Sequence, residues 1–86
     1  MRYCELKQKE VVNVLDGRRL GTTEDLEFDP VTGRICAIVV PGPTKHMGIM
    51  GSKDDYIIPW NCIRRIGPDI VLVEVECDNC RVPRGR

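Results

Sequence analysis

The sequence predicts a small all-β domain, a barrel of six strands, and two observations support this fold class. Short apolar runs recur about every ten residues and are separated by turn residues, a spacing typical of sandwiches and barrels. No helical periodicity extends beyond about two turns. The 86 residues make one domain that buries only about 60–65% of its unfolded surface, so we expect additional burial, for example against a second copy.

The first two predicted strands, residues 10–15 and 18–28, are joined by Asp16-Gly17. This dipeptide is a strong hairpin signal because a two-residue type I′ turn needs positive φ, which glycine tolerates. In the second strand, alternation assigns four residues to the buried face: Leu20, Thr22, Leu26 and Phe28. Alternation also places Glu24 on that face, so we expect a bulge or bend near this residue.

The third predicted strand, residues 35–40, is apolar on both faces. It follows a turn at residues 29–34, where Pro30 fixes φ, Asp29 can cap its own backbone and Gly33 accepts a left-handed conformation. One face of the strand carries Ile35, Ala37 and Val39, and the other carries Cys36, Ile38 and Val40. Because a strand in a lone small barrel has one wet face, we predict that one of these two faces contacts another molecule.

A long loop, residues 41–55, precedes the last three predicted strands. Loops of about fifteen residues in a compact domain are usually functional, and this one contains His46, Met47 and Met50. Trp60 is expected to be a packing anchor at a corner with one 3₁₀ turn. The predicted strands around this corner are residues 56–59, 62–66 and 70–75.

Composition argues against several partners and compartments. The net charge is zero, from 13 basic and 13 acidic residues, so no strong field draws the domain to nucleic acid or membranes. The first residues contain no apolar run, so no signal peptide is expected. The longest apolar stretch, residues 35–41, is far shorter than the ~20 residues of a membrane helix. We therefore expect a cytoplasmic protein.

The candidate metal ligands are Cys77 and Cys80, in a polar tail at residues 77–86 that follows the barrel domain of residues 1–76. Two thiolates at this spacing supply half of a tetrahedral zinc site. The other ligands would come from a second subunit or from Cys4, Cys62 or His46. Two unrelated cysteines in a loose tail are the alternative, and a redox role is weaker because no helix follows Cys80.

The sequence contains no recognisable catalytic constellation. His46 is the single histidine, and no Ser/His/Asp spacing accompanies it. Asp25, Glu27 and Asp29 alternate along one strand, as expected of a solvated face. The arginines are scattered and offset by acids, whereas nucleic-acid binding needs a basic face with stacking aromatics. We therefore predict neither enzyme activity nor a bound cofactor, and nucleic acid is a disfavoured partner.

Four stretches in this order resemble the PRC-barrel, and most closely its small single-domain YlmC/YmxH family, which is associated with sporulating bacteria. The resemblance implies a six-stranded barrel-like domain. Related domains serve as binding modules in a photosynthetic reaction-centre subunit and a ribosome-maturation factor, so no catalytic residue is carried over. The stretches are Glu5-Leu6 with Lys9-Glu10-Val11-Val12-Asn13, Asp16-Gly17-Arg18-Arg19-Leu20-Gly21, Asp25-Leu26-Glu27-Phe28-Asp29 with Thr32-Gly33, and Ile58-Pro59-Trp60 with Ile63 and Ile66-Gly67.

These observations favour a non-enzymatic protein-interaction module that acts as a homo-oligomer and has an additional protein partner not named by the sequence. A sporulation role enters only through the resemblance. One alternative is a zinc-binding or redox protein that uses Cys77 and Cys80. The other is an RNA- or ribosome-associated adaptor, by analogy with the maturation factor, although zero net charge argues against it.

Overall fold

A computed structural model describes residues 1–42, 54–76 and 81–83. These residues form eight strands, one short helix and one 3₁₀ turn, so the predicted all-β class is confirmed. The elements are α1 (Tyr3–Leu6), β1 (Glu10–Asn13), β2 (Arg19–Thr22), β3 (Asp25–Phe28), β4 (Ile35–Pro41), β5 (Asp54–Pro59), the 3₁₀ turn (Trp60–Cys62), β6 (Ile63–Ile66), β7 (Ile70–Val73) and β8 (Arg81–Pro83).

The strands form two four-stranded sheets. Sheet A has the order β2-β1-β7-β6, and sheet B has the order β3-β4-β5-β8. In sheet A, β1 and β7 run parallel, and Glu10 pairs with Ile70 while Asn13 pairs with Val73. The other strand pairs of the described residues are antiparallel. The parallel pair therefore brings an early strand and a late strand of the chain together.

The second predicted strand is in fact two strands in different sheets. The chain leaves sheet A after Thr22 and enters sheet B at Asp25, so the predicted bend near Glu24 is confirmed. Simple alternation fails across this bend, because the two strands face the core from different sheets. Thr23 is accordingly buried and Thr22 exposed. Leu20 lies in the core and Leu26 packs against it, as alternation predicted, whereas the prediction is wrong for Phe28, which ends β3 and is 61% exposed.

The first hairpin has a longer loop than the predicted two residues. The Gly17 N–H donates to the Asn13 carbonyl at 2.8 Å, and the Asn13 N–H donates to the Arg18 carbonyl at 2.9 Å. Four residues, 14–17, therefore lie between the hydrogen-bonded ends, and β1 ends at Asn13 rather than at Leu15. The positive φ expected of Gly17 is present, at 73°.

The turn at residues 29–34 has the predicted chemistry. Gly33 has a φ of 78°, and its N–H donates to the Asp29 carbonyl at 2.6 Å. The Asp29 side chain accepts from the Val31 N–H at 2.9 Å. Both local features follow from turn rules that do not depend on the rest of the fold.

The core lies between the sheets and is made mainly of aliphatic side chains. Leu26 and Trp60 pack against it and are only partly buried, so Trp60 is a packing residue as expected. Each fully buried valine or isoleucine contributes about 1.5–3 kcal/mol. The buried cluster comprises Leu6, Val11, Leu20, Ile38, Val40, Tyr56, Ile58, Val71, Val73 and Val75.

One buried polar side chain, Asn13, fastens the end of β1 to the chain after β7. Its Nδ2 donates to the Val75 carbonyl at 2.8 Å, and its Oδ1 accepts from the Val75 N–H at 3.1 Å. The same oxygen accepts from the Leu15 N–H at 3.3 Å. Asn13 is 0% exposed, so these bonds replace the water that its amide would otherwise bind.

Both ends of the described chain differ from the prediction. The short helix α1 was not predicted; its first turn is closed by the Arg2 N–H, which donates to the Glu5 carboxylate at 2.9 Å. The expectation of a loose tail is wrong for residues 81–83, because β8 pairs with β5. Among the described residues, no helix has the length and apolar character needed to cross a membrane.

Candidate functional site

The structure distinguishes the two apolar faces of β4. Ile38 and Val40 are both 0% exposed and belong to the core. Val39 points to the opposite side and is partly exposed, whereas the smaller Ala37 is 4% exposed. The face that carries Ile38 and Val40 is therefore buried in the core and cannot contact another molecule. The candidate interface from the sequence is reduced to the face of Ala37 and Val39.

A β-bulge removes Ile35 from that face. Phe28 pairs with Ile35, whereas Glu27 pairs with Ala37, so Cys36 is an extra residue in β4. Directly paired residues of neighbouring strands share a face, which puts Ile35 with Phe28 rather than with Ala37. Strict alternation through Ile35 is therefore wrong, and the bulge is its physical reason.

The outward face of sheet B has an apolar centre with carboxylates at its margin. Val39 lies between Asp25 and Ile57 in the strand register. Three of its aliphatic residues, Val39, Ile57 and Val82, remain partly or well exposed. We call this face the B surface, and its members are Asp25, Glu27, Ala37, Val39, Pro41, Asp55, Ile57, Pro59 and Val82.

Sequence reasoning found part of the apolar centre of the B surface. It identified Ala37 and Val39, but it missed Ile57 and Val82. The available signal was the run Tyr56-Ile57-Ile58, which is apolar on both faces in the same way as β4. Val82 could not be found, because its place in the sheet depends on long-range pairing between β8 and β5.

The outward face of sheet A has a similar centre and a different margin. One row of paired residues crosses all four strands: Arg19, Val12, Leu72 and Arg65. Val12 and Leu72 are partly exposed, and both arginines are exposed. We call this row, together with the neighbouring Glu10 and Ile70, the A surface. The sequence analysis did not identify it as a site.

Some charged side chains of the two surfaces form ion pairs and others do not. On the A surface, Arg19 pairs with Glu10 at 3.3 Å, and next to it Arg64 pairs with Glu74 at 2.9 Å. Exposed pairs of this kind contribute about 0–1 kcal/mol each. Within the part of the chain that the structure describes, Arg65 on the A surface and Glu27 on the B surface take part in no ion pair.

Tyr3 is the residue whose acidity is most clearly changed. Burial raises the pKa of its hydroxyl, and the negative charges of Asp25 and Glu24 raise that pKa further. The Tyr3 hydroxyl and the Thr23 hydroxyl are buried and have no hydrogen-bond partner among the residues that the structure describes. Because burial is the main cause of the raised pKa of Tyr3 and both hydroxyls are buried, we assign this corner to packing rather than to catalysis.

Cys77, Cys80 and the loop residues His46, Met47 and Met50 lie outside the described residues. Of the possible additional ligands, Cys4 is exposed and Cys62 is partly buried. Within residues 1–42, 54–76 and 81–83, no group of three or more His, Cys, Asp or Glu side chains could hold a metal ion. The zinc site remains a prediction.

Two opposed four-stranded sheets with a shared apolar core define the chain as a small β-barrel domain. The PRC-barrel domain family matches residues 1–76, and the chain belongs to this family. It is similar to two proteins of Bacillus subtilis (strain 168). One is "Probable sporulation protein YlmC", 39% identical over 72 residues, 84% of this chain and 89% of the relative.

The second relative is "Uncharacterized protein YmxH", which is 35% identical over 77 residues, 87% of this chain and 89% of the relative. The matches cover most of each protein, and they confirm the resemblance inferred from the motifs in the sequence.

Proposed function

We propose that this PRC-barrel domain is a non-enzymatic interaction module that binds a second copy of itself through the B surface. The observation that carries the proposal is the cross-strand pair of Val39 and Ile57, which lies on the outward side of sheet B and remains partly exposed. A lone barrel of this size usually presents polar residues at such positions.

The size of the domain supports self-association. A chain of 86 residues leaves a large fraction of its surface uncovered, and a second copy supplies burial that the short chain lacks. The zero net charge also means that no overall repulsion opposes contact between copies. Because association itself costs about 4–15 kcal/mol and the exposed apolar residues are few, we expect a dissociation constant in the micromolar range.

The cellular role proposed for the module is in sporulation, since one relative carries that name. The absence of catalytic activity, the cytoplasmic location and the additional protein partner are parts of the same proposal. The RNA-adaptor alternative has gained no specific support. The zinc alternative is tested by a native mass spectrum of protein purified without chelator: bound zinc that is lost in a Cys77→Ser/Cys80→Ser variant would establish it.

Sedimentation velocity over a concentration series tests the B surface. The wild-type domain is expected to associate as concentration rises through the micromolar range, and Ile57→Asp is expected to stay monomeric because a carboxylate replaces the apolar centre. Val31→Asp is the matched control, since Val31 is 89% exposed and lies in a turn outside the B surface.

Two results would contradict the proposal. One is a wild-type domain that remains monomeric at several hundred micromolar, about a hundredfold above the expected dissociation constant. The other is an Ile57→Asp variant that associates as strongly as the Val31→Asp control. Circular dichroism of each variant verifies that loss of association is not loss of folding.

A further inference from the structure

Self-association through the B surface leaves open which face of the second copy meets it. Two B surfaces facing each other would put Asp25 and Glu27 of both copies at one contact, and like charges opposite each other oppose pairing. The alternative is a contact with a different face of the second copy, which would be a head-to-tail arrangement.

The A surface has the features that match the B surface. Its centre, Val12 beside Leu72, is apolar and partly exposed like Val39 beside Ile57. Neighbouring strands lie about 4.7–4.9 Å apart, so each central pair spans a similar width. The two centres can therefore pack face to face at the spacing of about 10 Å that stacked sheets adopt.

The charges of the margins are complementary. Arg65 stands beside Leu72 on the A surface and forms no ion pair within the described residues. Asp25 and Glu27 stand beside Val39 and Ala37 on the B surface. Glu10 and Glu74, the acids near the A surface, are already paired with arginines. Opposite charges at the margins therefore favour a contact between an A surface and a B surface over a contact between two B surfaces.

We infer that self-association is head to tail, with the A surface of one copy packed on the B surface of the next. This inference rests on the proposed function and specifies its geometry. Because such a contact leaves the B surface of one copy and the A surface of the other unused, the assembly does not stop at two copies. It extends as a chain or closes as a ring.

A mixing experiment separates this geometry from a symmetric dimer. Ile57→Asp disables the B surface, and Leu72→Asp disables the A surface. Each variant alone is expected to be monomeric, whereas an equimolar mixture is expected to form a 1:1 pair, because each variant supplies the face that the other lacks. Native mass spectrometry with one variant labelled with ¹⁵N resolves the pair, since the two substitutions give the same mass.

The outcomes identify which step fails. If Leu72→Asp alone associates as strongly as wild type, the head-to-tail geometry is wrong, while the B surface and the proposed function remain. If Ile57→Asp alone associates, the proposed function is wrong and this inference fails with it. A wild-type domain that stops at the dimer as concentration rises, or a mixture that stays monomeric, also contradicts the head-to-tail contact.

A charge exchange provides a second test if an aspartate variant fails to fold. Arg65→Glu alone is expected to weaken association about fivefold, as expected for the loss of an exposed ion pair. Mixing it with the double variant Asp25→Lys/Glu27→Lys is expected to recover that loss, because the exchanged charges again attract. Failure of the mixture to associate more tightly than Arg65→Glu alone would overturn the inference.

Discussion

The outer surfaces of the two sheets have similar centres and different margins. Sheet A places Val12 beside Leu72 between two arginines, whereas sheet B places Val39 beside Ile57 next to a carboxylate. The apolar centres show that neither sheet follows the pattern of one dry and one wet face. The margins differ in the sign of their charge, and this difference is the basis for the proposal that the A surface of one copy packs on the B surface of the next.

The largest expected effect tests whether the two faces of β4 have different roles. Ile38→Ala removes a side chain from the core and is expected to lower the free energy of unfolding by about 2–5 kcal/mol. Val39→Ala, one position away on the B surface, is expected to cost about 1 kcal/mol or less, because Val39 is already partly exposed. Urea denaturation of the monomer measures both, and equal losses would show that Val39 belongs to the core.

The next prediction concerns the buried hydrogen bonds of the Asn13 side chain in sheet A. Asn13→Leu leaves the Val75 N–H and carbonyl without the side-chain amide that now satisfies them. The expected loss of unfolding free energy is about 2–4 kcal/mol. Asn61→Leu, at an exposed position in the 3₁₀ turn, is the control and is expected to change stability by less than about 0.5 kcal/mol. If the two variants lost a similar amount of unfolding free energy, the side-chain amide of Asn13 would not be what stabilises this part of sheet A.

A smaller expected effect is the response of self-association to salt, which tests the opposite charges at the margins of the two surfaces. Salt screens exposed charges, with a Debye length of about 3 Å at 1 M. Raising sodium chloride from 0.05 M to 1 M is therefore expected to weaken wild-type self-association several-fold and to strengthen that of Arg65→Glu, in which salt screens a repulsion between like charges. Sedimentation measures both, and an equal salt response in the two proteins would show that Arg65 does not contribute to the contact.

The smallest prediction concerns the point where the chain passes from sheet A to sheet B. Thr23 is 2% exposed, and its hydroxyl has no hydrogen-bond partner within the described part of the chain. Thr23→Val replaces it by a group of the same shape and is expected to raise the free energy of unfolding by about 0.5–1 kcal/mol. Thr22→Val, at the exposed neighbouring position, is expected to change it less; a destabilised Thr23→Val variant would reveal an unrecognised role for the hydroxyl.

Local chemistry could be predicted from the sequence, and so could the family. Gly17 and Gly33 adopt the positive φ expected of them, and the corner after Pro59 contains the expected 3₁₀ turn. These features depend on a few neighbouring residues, for which the conformational preferences of glycine and proline are decisive. The apolar character of both faces of β4 was also visible, because the residues 35–40 alternate without polar interruption.

The arrangement of the sheets could not be predicted, because it depends on residues far apart in the sequence. The division of residues 18–28 between two sheets, the parallel pairing of β1 with β7 and the addition of β8 all arise from long-range contacts. Asn13 gave no signal of its buried role, since its partner Val75 is distant in sequence. The A surface was missed for the same reason: Val12 and Leu72 become neighbours only in the folded sheet.

The parallel pairing of β1 with β7 has a consequence for how the chain folds during synthesis. The hairpin of β1 and β2 can form early, but the strand that completes sheet A begins only at Ile70. Val11 and Leu20 on the inner side of that hairpin can pack early against sheet B, but β1 lacks one of its two neighbouring strands until almost the whole domain has left the ribosome. Contacts between such distant segments slow folding, typically to milliseconds or seconds, so the barrel closes as one late event after its last strands emerge.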